Sequence, residues 1–402
     1  MVEKKKIKVL RIINRFNLGG PTFNAAYLTK YLSDDFETLL VGGDKDDTEE
    51  SSTFILDQLG LNPIIIPEMR RDIGMKEDKI AYEKLKQIIK EFKPDIVHTH
   101  ASKAGTLGRL AASKCNVSVI VHTFHGHVFH SYFGKTKTML FKTIERYLAR
   151  KSTAIIAISD IQKNELSTEH KICRKNKIKV IPLGFDLSRF QENIKEKRKS
   201  FRAFYKIEDD EIAIGIIGRL VPIKNHKLFI DAIKLVKPKT EKRIRVFIIG
   251  DGEEKENLIS YCQNLNINFV EYTKRNEQAL ITFTSWIKDV DWANSGLDII
   301  ALSSLNEGTP VSLIEAQASN KPIVTTNVGG VENVVVPNET AFVVPSNDLQ
   351  QFSEALFNLV NNDKLRDNMS SKGWIHVKDK FHYTRLVNDM ENLYVSLLNN
   401  TK

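Results

Sequence analysis

The chain has 402 residues, of which 42% are hydrophobic and 27% charged; it is too long for one ordinary core, so two domains are expected. Three scattered cysteines (Cys115, Cys173, Cys262) argue against a disulfide frame or zinc ribbon and fit a reducing cytoplasm. No apolar run reaches the ~18 residues of a bilayer span, and "MVEKKKIKVLRII" lacks the apolar centre and cleavage site of a signal peptide.

The net charge of +9 is uneven. Residues 1–200 hold 36 Lys+Arg against 24 Asp+Glu, whereas the remainder is slightly acidic. A basic half fits an anionic partner such as nucleic acid, a phosphorylated ligand or a membrane surface; it also fits a lysine-rich solvated surface.

In chain order, strand candidates are "KVLRII" (8–13), "ETLLVG" (37–42), "NPIIIP" (62–67), "DIVHTH" (95–100), "SVIVHTF" (118–124), "AIIAIS" (154–159) and "IKVIP" (178–182). A second series runs "IAIGIIG" (212–218), "RVFIIG" (245–250), "LITFTSW" (280–286), "DIIALSS" (298–304), "PIVTTN" (322–327) and "AFVVP" (341–345). The runs are continuously apolar, as in strands covered on both faces, and helical stretches separate most of them. Such alternation implies parallel sheets. Two series predict two Rossmann-like, doubly wound α/β domains, residues 1–187 and 188–375, with a C-terminal helix at 376–402 packing back on the first. The break lies near "PLGFDLSRFQENIKEKRKSF" (182–201), "NINFVEYTKRNEQ" (266–278) reads as an irregular insertion, and the tail from Asp363 to Leu398 as strandless helix.

Open α/β sheets bind ligands beyond the carboxyl ends of their strands. After the first strand, Gly19-Gly20-Pro21-Thr22 opens a helix. Paired glycines admit close backbone approach, and a helix N-terminus suits phosphate; a tight turn is the other reading. The pattern is not G-x-G-x-x-G, so a nicotinamide cofactor is not favoured. After "IAIGIIG" come Arg219 and Lys224, two cations before a helix beginning near Asn225, which could neutralise a diphosphate without metal or could be plain surface charge. Asp251-Gly252 makes a similar turn after "RVFIIG".

In "SSLNEGTPVSLIEAQ" Glu307 and Glu315 are seven residues apart. Thr309 is expected as N-cap and Pro310 at the first helical position, which leaves Glu307 on the loop. Glu315 then stands about 9 Å along the axis from Thr309, at ~1.5 Å per residue. That span matches a sugar ring, a diphosphate and a ribose in line. Glu307 would hold a sugar hydroxyl, Glu315 two vicinal hydroxyls, and the backbone of Gly308, Thr309, Pro310 and Val311 would face the diphosphate. Taken alone, the stretch also reads as an ordinary helix with one exposed and one ion-paired glutamate.

Together these loops resemble the GT-B glycosyltransferases, specifically glycosyltransferase family 4. The resemblance spans nearly the whole chain: "NLGGPTFNAAYL", "PDIVHTHASKAGTLGRLAA", "VHTFHGHVFHSYF", "IAISDIQKNEL", "IGRLVPIKNHKLFIDAI", "IIGDGEEKENL" and "SSLNEGTPVSLIEAQASNKPIVTTNVGGVENVV". It also looks like the bacterial members that build capsule, exopolysaccharide or O-antigen. The resemblance implies that Arg219 and Lys224 bind the donor diphosphate, Glu307 the donor sugar, Glu315 the ribose, and Gly19 and Gly20 the phosphate. It matches the family's histidine near the transferred sugar to His125 rather than His127. It implies a retaining, metal-independent hexosyltransferase in which the leaving phosphate helps to take the acceptor proton. Backbone N–H groups and cations aimed at the leaving diphosphate supply the stabilisation, with proton transfer a smaller part. One departure is "PLGFD", where Leu183 stands in place of the family's Asn and puts the local hinge contacts in doubt.

Six histidines (His98, His100, His122, His125, His127, His130) gather near two strand ends. A zinc site needs three or four converging ligands with outer partners, which this spacing does not offer, so no metal is expected. The fold implies acceptor contacts at Lys103, His100 and His127. Trp286 lies near the expected nucleotide base. The segment "FGKTKTMLFKTIERYLARK" (133–151) is basic and amphipathic, and residues 101–200 hold 20 Lys+Arg against 7 Asp+Glu. Its stripe of Leu140, Phe141, Ile144, Tyr147 and Leu148 is expected to be core, while the basic surface around it could dock on the inner face of an anionic membrane. The expected donor is a UDP-sugar, then a GDP-sugar, and the acceptor a glycan or a lipid-linked acceptor. The rival readings are a GT-B nucleotide-sugar epimerase and a basic, non-catalytic nucleic-acid-binding protein; the second lacks aromatic-rich or basic strand motifs and a recognition helix.

Overall fold

The computed structural model describes residues 5–16, 20–44, 53–70, 74–125, 135–274 and 277–400. The chain forms two compact units: residues 1–185 with 381–402, and residues 186–380. The expected boundaries at 187/188 and 375/376 differ from these by a few residues. The strandless tail divides between the units, because one of its two helices lies in each.

Unit 1 alternates β1 (Ile7–Arg15), α1 (Gly20–Lys30), β2 (Phe36–Gly43), α2 (Thr53–Gln58), β3 (Ile64–Ile65), α3 (Met75–Phe92), β4 (Ile96–His100), α4 (Ser102–Lys114), β5 (Val119–Thr123), α5 (Lys135–Lys151), β6 (Ala154–Ala157), α6 (Asp160–Asn164) and β7 (Ile178–Val180). Its seven strands lie in the order β3-β2-β1-β4-β5-β6-β7, and every pairing is parallel. Parallel strands buried on both faces need apolar residues at nearly every position. β4 and β5 are accordingly buried throughout, even where they carry histidine and threonine.

Side chains alternate between the two faces of this sheet. Leu10, Ile12, Val97 and Ile120 meet α3 and α4. Val9, Ile96, Val119 and Val121 meet Leu28 of α1 and Leu386, Met390 and Tyr394 of a helix after unit 2. α4 lies close to its sheet: a Cβ at Gly105 would sit 2.4 Å from His122 Cε1.

Unit 2 runs α7 (Ile194–Phe204), β8 (Glu211–Ile217), α8 (His226–Val236), β9 (Arg243–Ile249), α9 (Lys255–Asn264), β10 (Phe269–Glu271), β11 (Ile281–Ser285), α10 (Val290–Gly296), β12 (Ile299–Leu302), α11 (Val311–Ala318), β13 (Ile323–Thr326), β14 (Ala341–Val344), α12 (Leu349–Asn361) and α13 (Asp363–Val377). The strand order is β10-β11-β9-β8-β12-β13-β14, again parallel throughout. One large core of Ile, Leu, Val and Phe fills the unit. The supposed irregular insertion at 266–278 contains the edge strand β10, three residues too short to show a period. The chain then rejoins unit 1 as α14 (Tyr383–Asn399). No helix among the described residues is long and apolar enough to cross a membrane.

In both sheets the connections reverse direction once, between β1 and β4 and between β8 and β12. Such a switch point leaves adjacent strand ends with loops that diverge, the usual place for a ligand in a doubly wound sheet.

Candidate active site

In unit 2 the switch-point loops are those after β8 and β12, and they are joined. Leu305 N donates to Ile223 O at 2.8 Å, and Ser303 Oγ to Lys224 O at 3.0 Å. Lys224 Nζ and Ser304 Oγ both donate to Glu307 Oε1, each at 2.6 Å. The ammonium and carboxylate are 21% and 10% exposed, so the pair is largely shielded from solvent yet reachable. Ser304 O in turn accepts from Thr326 Oγ1 at 2.6 Å. Arg219, on the same loop as Lys224, is exposed. Lys224 and Glu307, 83 residues apart in sequence, thus form one charged cluster, and Ser304 belongs to it although no sequence signal singled it out.

The loop carrying Glu307 rests on a second loop. Gly330 N donates to Glu307 O at 3.0 Å. A Cβ at Gly330 would lie 1.8 Å from Gly308 O. Only a residue without a side chain lets the two backbones meet, so Gly330 shapes the Glu307 loop.

α11 starts at Val311, with Pro310 at the N-cap position and no side-chain cap. Thr309 is therefore outside the helix rather than its cap. Pro310 takes ψ 97°, which directs the chain out of the helix one residue later than expected. Gly308 and Thr309 are half-buried on the loop and Pro310 is buried. Glu315 is half-buried on the second turn. Desolvation pushes its carboxyl up to about 7; the Arg189 charge opposes this and the Asp291 charge adds to it. Trp286 is half-buried just after β11, next to Ser285, whose hydroxyl donates to Asp251 Oδ2 at 2.7 Å. The turn Asp251-Gly252 does not open a helix directly, since α9 begins at Lys255.

In unit 1 Gly20 is the first residue of α1, while Gly19 lies outside the described residues. β4 ends in His98 and His100 on one face with Thr99 on the other. His100 Nδ1 and His125 Nε2 are 2.8 Å apart. Burial drives the His125 imidazole down to about 3, so it is neutral near pH 7. His127 and His130 lie outside the described residues. His122 faces away from this pair and bonds Thr99 Oγ1 at 2.8 Å. Among the described residues no three His, Cys, Asp or Glu side chains are grouped to hold a metal.

Two expected acceptor contacts take other places. His100 is fully buried, because its alternation on β4 points it under α14's face of the sheet. Lys103 Nζ pairs with Asp78 at 2.5 Å and its side chain is 12% exposed, so it ties the start of α4 to α3. The apolar stripe of α5 is also split: Leu148 is 1% exposed, but Leu140 is 60%, Tyr147 51% and Met139 71% exposed. The helix is oriented by the buried pair Arg109–Glu145, at 2.7 Å, which turns Leu148 and Ala149 inward and Leu140 and Tyr147 out. Leu183, at the departure from the family pattern, is buried, and its carbonyl and that of Pro182 accept from Arg385 of α14 at 2.7 and 2.8 Å.

Both units resemble known proteins. Residues 197–374 match the family model of glycosyl transferases group 1, and residues 19–189 that of Glycosyltransferase Family 4. The UDP-Gal:alpha-D-GlcNAc-diphosphoundecaprenol alpha-1,3-galactosyltransferase of Escherichia coli is 31% identical over 337 residues, 83% of this chain and 84% of that protein. The capsular polysaccharide biosynthesis glycosyltransferase CapM of Staphylococcus aureus is 27% identical over 342 residues, 83% of this chain and 85% of that one. Among solved structures, HepE of Anabaena in complex with UDP matches with a TM-score of 0.78 at 18% identity, covering 97% of this chain and all of that one. A Rickettsia africae glycosyltransferase matches with a TM-score of 0.78 at 20% identity, covering 98% and 99%. With the two parallel-sheet units of the GT-B fold and a relative this similar along most of its length, the chain belongs to glycosyltransferase family 4.

Proposed function

We propose that this glycosyltransferase moves a hexose from a UDP-sugar, or next a GDP-sugar, to a lipid-linked glycan in cell-surface polysaccharide synthesis, with retention of configuration. The observation that carries the reading is the Lys224–Glu307–Ser304 cluster at the switch point of unit 2. A diphosphate placed there would meet the Lys224 ammonium, the exposed Arg219 and the first turn of α11. Those groups are preorganised for the charge that develops on the leaving diphosphate, which is the largest single contribution to such a transfer. They also supply positive charge without a metal. Glu307, held by Lys224 and Ser304, would accept from a donor-sugar hydroxyl. Gly308, Thr309, Pro310 and Val311 would line the diphosphate, Glu315 would meet the ribose, and Trp286 the base. In unit 1 we assign Gly19 and Gly20 to the phosphate, His127 to the acceptor and His125 to the transferred sugar.

The relative in Escherichia coli, by its name, uses UDP-Gal and a diphosphoundecaprenol-linked acceptor. An acceptor of that class lies in a membrane, and α5 offers a fitting surface at the cytoplasmic face. Met139, Leu140 and Tyr147 are exposed beside Lys142, Arg146, Arg150 and Lys151, the composition of an interfacial helix on anionic lipid.

A thermal-shift panel with UDP, GDP, ADP and CMP tests the donor site. A nucleotide at a hundred times its Kd stabilises by about 2.7 kcal/mol. UDP is expected to shift the wild type and not Glu315→Ala; no shift with any nucleotide would sink the donor assignment. Flotation with phosphatidylglycerol liposomes tests the surface: binding should fall with salt and in Leu140→Asp/Tyr147→Asp, and absence of binding at low salt refutes it.

A further inference from the structure

Glu315 lies among charges that its own helix does not supply. The short turn Ser188–Phe190 packs against α10, and just beyond it the Gln191 amide donates to Ala318 O at the end of α11. Ala318 is three residues past Glu315, so this segment runs beside the part of α11 that carries the carboxyl. The turn presents Arg189, and the first turn of α10 presents Asp291. Arg189 Nη1 is 3.7 Å from Asp291 Oδ1, and Lys197 Nζ of α7 is 2.8 Å from Asp291 Oδ2. Lys197 Nζ also donates to Arg189 O at 2.6 Å, so one ammonium holds both the carboxylate and the backbone of the turn. The Arg189 guanidinium lies over the buried Phe190 ring, 5.1 Å from its centroid.

These charges do not cancel evenly. A separation of 2.8 Å is a hydrogen bond and one of 3.7 Å is not, so Asp291 is bonded to Lys197 and only partly neutralises Arg189. Of the other elements around α11, β12 and β13 carry no charged residue, and α13 meets it at Gly373, where a Cβ would lie 2.7 Å from Gln317 O. Desolvation raises the Glu315 carboxyl to about 7; Arg189 opposes this more strongly than Asp291 reinforces it. For a carboxyl poised near neutrality, one neighbouring cation decides how much of it is ionised. The difference matters to a diol, because an ionised carboxylate accepts from two hydroxyls through charge-assisted bonds, while a protonated one is itself a donor.

We propose that Arg189 is a positioning residue of the donor site, its charge keeping the Glu315 side chain an acceptor for both ribose hydroxyls while Lys197 and Asp291 hold the turn that carries it. This rests on the assignment of Glu315 to the ribose. Arg189 acts through Glu315 and needs no contact with the nucleotide.

The test is calorimetric titration of UDP into the full chain at pH 6, 7 and 9, read as the ratio of variant to wild-type Kd, in which the titration of UDP itself cancels. The Arg189 side chain is 39% exposed, so its effect is that of a partly screened charge. Arg189→Met should bind UDP about threefold more weakly at pH 6 and 7, and equally at pH 9, where both proteins carry an ionised Glu315. Arg189→Lys keeps the charge and should restore wild-type binding. In a Glu315→Gln background, Arg189→Met should change nothing at any pH. A loss of equal size at all three pH values overturns the proposal, since it marks a direct or purely structural contact. Undiminished binding at pH 6 and 7 overturns it too, as does a loss that persists beside Glu315→Gln. A Glu315→Gln protein that binds UDP as tightly as the wild type at pH 9 overturns instead the ribose assignment on which it rests. A second reading needs no ligand: removing Arg189 should carry the pH-dependent fall in unit 2 stability to higher pH, and an unmoved fall overturns the proposal. Cooperative urea unfolding of each variant separates these results from failure to fold.

Discussion

Glu315 is a carboxyl whose protonation should be readable in the stability of unit 2. Desolvation raises it from an ordinary 4.5 to about 7, so the folded state holds a proton that the unfolded chain releases near 4.5. For an acid raised on folding, the contribution to stability is full below the unfolded value and is lost as pH rises through the folded one. With those two values, linkage gives a loss of about 2 kcal/mol between pH 5.5 and pH 8. Glu315→Gln keeps the shape and removes the titration, so this slope should vanish from the variant. The chain's three tryptophans, Trp286, Trp292 and Trp374, all lie in unit 2, so urea unfolding followed by tryptophan fluorescence reports on that unit alone. The quantity to compare is the wild-type minus variant difference in unfolding free energy across the pH range, which cancels the other titrating groups. The variant should be the more stable of the two at pH 8, and its advantage should shrink as pH falls. Parallel curves for the two proteins would refute the argument, because Glu315 would then be as well solvated folded as unfolded.

Three further outcomes follow from the packing. Gly330→Ala should displace the Glu307 loop, since the new methyl would lie 1.8 Å from Gly308 O; the expected cost is about 1–3 kcal/mol in unit 2 with weakened UDP binding, measured by urea unfolding and UDP titration. Arg109→Leu strands the buried Glu145 carboxylate and should destabilise unit 1 by about 3–5 kcal/mol, while Arg109→Met/Glu145→Leu recovers most of it, read by far-ultraviolet circular dichroism in urea. Tyr394→Phe leaves Arg11 Nη2 and His98 Nδ1 without their partner and should cost about 1–3 kcal/mol in the same assay.

The electrostatic character of the two glutamates came from opposite causes. Glu307 is drawn into a cluster by Lys224 and Ser304, whereas at Glu315, on α11, desolvation outweighs the opposing Arg189 charge. What differs is which other loops reach them. The same holds on α5, where helical spacing alone grouped Leu140 with Leu148, and only the anchoring of Glu145 by Arg109 decided which of them faces solvent.

Much of this protein is written locally. Strands buried on both faces are apolar along most of their length, so "AIIA" and "IIAL" disclose themselves without partners, and their alternation with helices implies parallel sheets. Arg219, Lys224, Glu307 and Glu315 follow strand ends or lie in the first turns of helices, where a linear pattern is enough to propose them. A strand as short as β10 carries no period, and one residue decided whether Thr309 or Pro310 stands at the head of α11. The roles of Ser304, Gly330, Arg11 and Tyr394 depend on partners distant in the chain; Tyr394 meets His98 across 296 residues. No local rule of propensity or spacing encodes such a contact, because it exists only after α14 has packed against the sheet. That packing, rather than the sequence around the histidines, helps to enclose His98 and His100.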